Sequence, residues 1–326
     1  MKYYIILLLN LFFFHQESSA QGPYAPHVGQ QGTSAIHRDS AVFVNWASNA
    51  IIERGWQNIA DTSLGKTTAG TVNDVLGKSG TGGVVSLGDG GSAILTFATP
   101  IKNEPGADFA VFENSFNDSF LELAFVEVSS DGVYFFRFPS HSLTQNSVQL
   151  DNNANMDATN INNLAGKYRA QYGTPFDLEE LTGISGLDVN NITHVKIIDV
   201  VGNIDPEFAR YDSFSNIIND PFPTPFPTGG FDLDAVGVIH QQTVSIEENN
   251  TLVQQVYPNP FQNYLTIQLK NNESATYEVI SSNGKQVLSG QLMTGSTIST
   301  ENLPKGIYFL KVQNQVQQSV QKLIKY

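Results

Sequence analysis

Two aspartates alternate along an apolar stretch, FDLDAV, near the end of the long first part of the chain. Asp232 and Asp234 are two positions apart, and alternate residues of a β-strand project to the same face. Two adjacent carboxylates repel each other unless a cation or hydrogen-bond donors lie between them. Glu113 and Asp89 could supply further oxygen atoms, of which Ca²⁺ takes roughly six to eight. These four residues predict a calcium site; alternatively, the acids face water or accept backbone hydrogen bonds.

Several aromatic residues fall in segments with the composition of loops. An exposed ring in a loop can stack on a sugar or on a flat cofactor. The candidate ligand contacts of this kind are Tyr168, Tyr172, Tyr211, Phe222 and Phe226. The alternative is that these rings plug the ends of a hydrophobic core.

The usual arrangements of catalytic residues are missing from the sequence. It has no GxSxG, HExxH, P-loop or dinucleotide-binding glycine motif. Glu122 and Glu127 are an odd number of positions apart, so on one strand they face opposite ways and cannot form a glycosidase pair by themselves. We therefore expect a non-enzymatic protein that binds a glycan, a small nutrient or a surface partner. Two alternatives stay open: a secreted hydrolase whose carboxylates converge from separate strands, and a structural component of a surface layer.

The composition narrows the possible partners. The 326 residues include 31 acidic and 17 basic side chains, a formal net charge of −14, and no cysteine. The negative charge lies in the stretch 21–240, where 25 acidic residues face 10 basic ones. Nucleic acid and anionic membranes require clustered Lys and Arg, so neither is expected as a partner. Disulfides and thiolate metal sites are excluded.

The chain organisation predicts export. Residues 1–20 have a positive charge at Lys2, an apolar run and small residues before Gln21, as a signal peptide does. No later stretch is apolar enough for a transmembrane helix. We expect a large domain at 21–243, a polar linker at 244–255 and a small domain at 256–326.

Short strand patterns separated by glycine-rich turns dominate both expected domains. They predict an all-β protein: a large jelly-roll-like antiparallel β-sandwich followed by a small immunoglobulin-like β-sandwich. Residues 83–97 predict a hairpin that turns at 88–91, and residues 122–138 predict a second one that turns at 130–132. Asn283 and Gly284 predict a two-residue hairpin turn in the small domain. One helix is expected at 40–52, where apolar residues recur at helical spacing.

The small domain carries three sequence motifs, VYPNPFQNYLTIQL at 256–269, NLPKGIYFLKV at 302–312 and KLIKY at 322–326. In order and position they resemble the type A sorting domain of the Bacteroidetes type IX secretion system. The resemblance implies a secreted or cell-surface protein that is handled by the type IX secretion machinery and a surface sortase.

The large domain is similar to another group through SLGDGGSAILTF, DFAVFENSF, ELAFVEVSSDGVYFFRF and GFDLDAVGVI. These segments resemble secreted surface proteins of Bacteroidetes and other bacteria. Some of those proteins are encoded with outer-membrane uptake systems, including systems for cobalamin. The resemblance implies a β-sandwich and adds a cobalamin-like nutrient to the possible ligands.

Overall fold

The computed structural model describes residues 22–242, 252–270, 274–315 and 317–326. The chain divides between residues 243 and 244 into two compact units, here called unit 1 and unit 2. The expected signal peptide lies outside the described residues, as does the expected linker as far as residue 251. From Val253 onward that linker is already a strand, because Val253 and Val256 pack into the core of unit 2.

The strands of unit 1 are short and all of their pairings are antiparallel. They are β1 (Ile36–His37), β2 (Asn45–Trp46), β3 (Asn49–Glu53), β4 (Val85–Ser86), β5 (Ser92–Ile101), β6 (Phe109–Glu113), β7 (Ala124–Ser129), β8 (Phe136–Arg137), β9 (His141–Ser142), β10 (Ile161–Asn162), β11 (Tyr172–Phe176), β12 (Ile192–Asp199) and β13 (Asp232–Val238). The helical segments of the described residues are four 3₁₀ turns, Thr62–Leu64, Val72–Val75, Ala158–Asn160 and Leu178–Leu181.

Two sheets enclose the main core of unit 1. The first has the strand order β1-β11-β6-β13-β2, with β4 also pairing with β13, and the second has the order β3-β5-β12-β7-β8. Fully buried side chains from both sheets, such as Val111 and Val236 from the first and Leu95 and Val126 from the second, belong to one apolar cluster. Burial of this shared cluster holds the sheets together, and the expected all-β sandwich is confirmed.

The helix expected at 40–52 is wrong. The chain there forms β2, whose Trp46 pairs with Gly237 in the first sheet, and β3, which pairs with β5 in the second. Along β3 the burial alternates as a strand requires, with Ala50 only 7% exposed and Ile51 63% exposed. Pairing with distant strands and β-branched residues outweighed the apolar spacing that suggested a helix.

One expected hairpin is confirmed and another is wrong. Glu127 and Val128 of β7 pair with Arg137 and Phe136 of β8, as expected. By contrast, β4 and β5 do not pair with each other. The glycine-rich turn at 88–91 instead carries the chain from the first sheet to the second, because the cross-strand partners of β4 lie on β13 and those of β5 on β3 and β12.

Unit 2 is a smaller sandwich with its own core. Its strands are β14 (Val253–Tyr257), β15 (Tyr264–Leu269), β16 (Ala275–Ser281), β17 (Gln286–Leu292), β18 (Ser296–Ser299), β19 (Gly306–Gln313) and β20 (Gln318–Lys325). The sheets have the orders β14-β15-β18 and β17-β16-β19-β20. The expected turn at Asn283 and Gly284 joins β16 and β17, with Gly284 at φ 83°. Among the described residues, no helix has the length and apolar character needed to cross a membrane.

Candidate binding cleft and buried acidic cluster

The turn at residues 88–91 requires its glycines. Gly88 and Gly90 have φ of 75° and 69°, which side chains disfavour. A Cβ on Gly91 would lie 2.1 Å from the carbonyl oxygen of Leu87. Asp89 is therefore the single residue of this turn that carries a side chain, and the turn fixes its backbone between the two sheets' strands.

A cleft of about 480 Å³ lies beside this turn. Its charged and aromatic lining residues are Glu53, Arg54, Trp56, Lys66, Asp89 and Arg210. The main chain of Trp56 is bonded to the turn in both directions: its N–H donates to the carbonyl of Asp89 at 3.2 Å, and its carbonyl accepts from the N–H of Asp89 at 2.8 Å. These bonds fix the main chain from which the half-buried Trp56 side chain lines the cleft.

Three cations, Arg54, Lys66 and Arg210, line the cleft. Arg54 is committed to the protein, since its Nη1 donates to the carbonyl oxygens of Ala69 and Ser86 at 2.6 Å each. Lys66 lies with its Nζ 5.5 Å from the Trp56 ring centroid, and Arg210 Nη1 donates to the main-chain carbonyls of Phe208 at 2.8 Å and Ala209 at 3.3 Å. Within the described residues, neither Lys66 nor Arg210 forms an ion pair.

Asp89 contributes an acid rather than an anion at neutral pH. It is 3% exposed, and burial, together with the charge of Asp199, raises its pKa to about 8. The N–H of Ile59, which donates to Asp89 Oδ2 at 2.7 Å, and the charge of Arg210 only partly oppose that rise. A protonated carboxyl can donate a hydrogen bond to a ligand.

Asp89 belongs to a set of six buried carboxyl groups, here called the acidic cluster. Its members are Asp89, Glu113, Glu122, Asp199, Asp220 and Asp232, each at most 9% exposed. Burial raises the pKa of every member, and the charges of other members add to the rise for all of them except Asp199. The pKa values of Asp199 and Asp232 rise to about 6.

The carboxyl groups of the acidic cluster differ in the number of hydrogen bonds that they accept. Asp199 accepts from the N–H groups of Phe231, Gly90 and Val201 at 2.8 to 3.0 Å. Glu113 accepts from the N–H of Ser115 and Asp220 from the N–H of Leu123, both at 2.8 Å, and a main-chain hydrogen bond from Asn114 also opposes the rise in the pKa of Glu113.

The second oxygens of those two residues, Glu113 Oε1 and Asp220 Oδ1, are buried without a hydrogen-bond partner. No member of the cluster forms an ion pair within the described part of the chain.

The four residues predicted to hold calcium do not converge as a set. A β-bulge between Leu233 and Ala235 interrupts the register of β13. Asp234 accepts from Ser79 Oγ at 2.5 Å and from the N–H of Gly80 at 3.0 Å, which is the alternative that the sequence left open. Across the described residues, no group of three or more His, Asp and Glu side chains is arranged to hold a metal ion.

The five predicted ligand-contacting rings are also divided by the structure. Tyr168 is 1% exposed and shares a hydrogen bond with Ser34, and Phe222 is 7% exposed. Both pack inside the protein, so the expectation that they present a face to a ligand is wrong for these two. Tyr172 is half-buried against His37, whereas Tyr211 and Phe226 are exposed.

Sequence reasoning missed most of the cleft. Trp56, Lys66 and Arg210 are far apart in the chain and match no motif. Asp199, a member of the acidic cluster, carried one usable signal, since it directly follows the strand-like stretch HVKII.

Comparison with known proteins identifies one part of the chain. Residues 255–326 match the family model of the secretion system C-terminal sorting domain, which confirms the type IX sorting domain expected from the sequence. The chain is therefore a secreted or cell-surface protein. No curated protein matches it.

Solved structures show only remote likeness. A biofilm-associated protein BSP domain is 13% identical, with 72% of this chain and 48% of that one covered and a TM-score of 0.20. A Parabacteroides merdae β-glucuronidase is 12% identical, with coverages of 86% and 36% and a TM-score of 0.22. A Ruminococcus gnavus β-glucuronidase in complex with uronic isofagomine is 8% identical, with coverages of 93% and 45% and a TM-score of 0.22. The chain spans less than half the length of each, and likeness at this level carries no information about function.

Proposed function

Starting from a chain whose residues 255–326 are a type IX sorting domain, we propose that unit 1 is a binding module which takes an acidic glycan at or beyond the cell surface. The cleft beside the turn at 88–91 is its binding site. One observation carries the proposal: an aromatic ring, two cations outside any described ion pair and a buried neutral acid line one cavity.

Each part of the cleft suits a different part of such a ligand. The flat apolar face of a sugar ring packs on an aromatic side chain such as Trp56. Lys66 and Arg210 offer positive charge to a carboxylate or sulfate, and Arg in particular matches the planar geometry of a carboxylate. The protonated carboxyl of Asp89 can donate to a sugar oxygen. Acidic residues outnumber basic ones in unit 1 as a whole, so the cations of the cleft form a locally positive region on an otherwise negative domain.

The proposal is tested by titrating the exported chain with oligogalacturonate and, as the neutral comparison, with dextran oligosaccharides in a calorimeter. We expect binding of the first and none of the second. Trp56→Ala and Arg210→Gln should each weaken binding at least tenfold, because a ring contact and a charged hydrogen bond each contribute about 1 to 3 kcal/mol.

A matched control uses a ring elsewhere on unit 1. Tyr134 is 67% exposed and lies in the turn between β7 and β8, so Tyr134→Ala should bind like the unaltered chain. Equal affinity of Trp56→Ala and Tyr134→Ala for oligogalacturonate, or no binding at all by the unaltered chain, would count against the proposal.

A second candidate function, glycoside hydrolysis, has one observation in its favour. Two carboxyl groups, Asp89 and Glu53, line the cleft, and the raised pKa of Asp89 suits a general acid. The same incubations distinguish the two functions through the appearance of new reducing ends. Release of product that Asp89→Asn abolishes would indicate a hydrolase, and binding without product indicates the binding module.

A further inference from the structure

Strand β20 lies at the edge of its sheet in unit 2. The main-chain groups on the open side of an edge strand have no neighbouring strand to pair with, but two of those on β20 are bonded to a single side chain. Asn259 Nδ2 donates to the carbonyl of Lys322 at 2.9 Å, and Asn259 Oδ1 accepts from the N–H of Ile324 at 3.0 Å. A primary amide offers both donors and an acceptor, as a peptide group does. Asn259 therefore takes the place of a neighbouring strand.

The main chain beside Asn259 continues this contact. The N–H of Phe261 donates to the carbonyl of Ile324 at 2.8 Å, and the N–H of Tyr326 donates to the carbonyl of Phe261 at 3.1 Å. These two bonds and the two from the Asn259 side chain are here called the clip. Because of the clip, β20 is held on one side by β19 and on the other by residues 259–261.

The three sequence motifs of unit 2 meet at the clip. Residues 259–261 belong to VYPNPFQNYLTIQL, and residues 322–326 are KLIKY. The ring of Phe261 is 1% exposed and its centroid lies 6.3 Å from that of Tyr308, which belongs to NLPKGIYFLKV. Lys325 Nζ lies 5.8 Å from the Phe261 ring centroid. The match to the sorting-domain family extends over all three motifs, and the fold brings them into one assembly.

The side chains at this end of β20 are accessible although its main chain is fixed. Leu323 and Lys325 are buried, whereas Ile324 is 37% exposed and Tyr326, which follows the strand, is 66% exposed. Lys322 is exposed as well. A partner that binds this strand meets side chains whose backbone is already ordered, which lowers the entropic cost of binding.

We propose that Asn259 is a positioning residue for export. It holds the end of β20 in the conformation in which the type IX secretion machinery recognises unit 2. The sorting signal is then the folded assembly of residues 259–261 with residues 322–326, rather than the linear sequence of residues 322–326. This proposal concerns unit 2 and is independent of glycan binding by unit 1.

Hydrogen exchange, followed by NMR on the full chain, tests whether the Asn259 side chain holds the strand. Asn259→Ala removes both side-chain bonds, so the N–H of Ile324 should exchange about tenfold faster or more. Asn263→Ala is the matched control, because Asn263 is exposed and its main-chain carbonyl accepts from the N–H of Thr300 at 2.9 Å, a bond that the substitution retains. It should leave the exchange of Ile324 within about twofold.

Export is measured in a bacterium that has a type IX secretion system and produces the full chain. Immunoblots compare the chain at the cell surface and in the medium with the chain retained in the periplasm. Asn259→Ala should lower the exported fraction about fivefold or more, because the strand end is no longer ordered for recognition. Asn263→Ala should be exported like the unaltered chain.

A further variant separates the clip from the overall stability of unit 2. Val279 is fully buried on β16, so Val279→Ala leaves a cavity in the core. Urea unfolding of the purified chains, followed by far-UV circular dichroism, should show a midpoint for Val279→Ala at least as low as that for Asn259→Ala. Val279→Ala should nevertheless be exported at the unaltered level, because its clip is intact.

Three results would overturn the proposal. The first is an Asn259→Ala variant in which the exchange of Ile324 is unchanged, since the side chain then does not hold the strand. The second is export of Asn259→Ala at the unaltered level. The third is a loss of export by Val279→Ala as large as that by Asn259→Ala, which would make stability alone decisive. None of these results bears on the cleft in unit 1, because glycan binding is measured separately and with other variants.

Discussion

Unit 1 and unit 2 are both antiparallel sandwiches, but their interiors differ in kind. Unit 1 buries six carboxyl groups whose charges influence one another, in addition to its apolar core. The described residues of unit 2 bury no Asp or Glu, and their single buried charge is Lys325, which donates to a main-chain carbonyl. Unit 2 holds the sorting domain, and unit 1 is the part that we propose binds a ligand. The two interiors therefore distinguish unit 1 from unit 2, which contains the sorting domain.

The largest change in stability is expected when a carboxylate is buried in the apolar core of unit 2. Leu310 is 1% exposed on β19, and Leu310→Asp should destabilise unit 2 by about 4 kcal/mol or more, because the acid would have neither a donor nor an ion. Phe309→Asp is the control, since Phe309 is next to Leu310 in the chain but is 39% exposed. Urea unfolding followed by far-UV circular dichroism measures both. Equal midpoints for the two variants would contradict the contrast between the interiors.

A pH titration should separate the units without any substitution. The folded-state pKa values of Asp89, Asp199 and Asp232 are raised from 3.8 to about 8, 6 and 6. An acid whose pKa is higher in the folded state than in the unfolded state stabilises the fold fully at a pH below its unfolded-state pKa. That contribution is lost as the pH rises through its folded-state pKa. Unit 1 should therefore melt about 5 °C or more lower at pH 8 than at pH 5.

Tryptophan fluorescence measures this change for unit 1, because Trp46 and Trp56 both lie there. Calorimetry of the same sample follows the thermal unfolding of unit 2. Other titratable groups contribute to the slope, notably Asp108, whose pKa is raised by burial, so an Asp89→Asn variant serves as the control and should flatten the slope between pH 6 and 8. A melting temperature for unit 1 that rises over this range would contradict the buried, protonated cluster.

The smallest effect is expected for charges outside either core. Lys311 Nζ lies 3.6 Å from Glu278 Oε2 on the neighbouring strand of unit 2, and both side chains are partly exposed. Lys311→Ala should cost less than about 0.5 kcal/mol, because a solvent-screened ion pair gains little. The urea midpoint of unit 2 measures it, and a loss as large as that of Leu310→Asp would mean that surface charge matters more here than burial.

The fold could be predicted from the sequence better than the candidate site could. Short apolar runs and glycine-rich turns predicted the β7–β8 hairpin and the strand at FDLDAV, because these signals are local in the sequence. The helix expected at 40–52 failed because the partners that make β2 and β3 strands lie on β13 and β5, and pairing between distant segments leaves no trace in a short window.

The site depended on those distant pairings. Asp89, Glu113 and Asp232 could be singled out as acids near strands, and all three do belong to the acidic cluster. Asp234 could not be separated from Asp232, because a β-bulge and the donors at Ser79 and Gly80 decide its surroundings. Trp56 and Arg210 were invisible, since only the folded chain brings them to one cleft.

The central strand β13 has a consequence for the order in which unit 1 folds. It pairs with β2, β4 and β6, and its Asp232 is bonded to Ser86, 146 positions earlier in the chain. Contacts of such long sequence separation form slowly, because the intervening loop must be closed before any bond compensates for it. The carboxyl groups of β6 and β13 meet only when this last strand docks. A nascent chain that stops short of β13 therefore lacks Asp232 and the strand that pairs with β6, so the cluster is complete only in the finished sandwich.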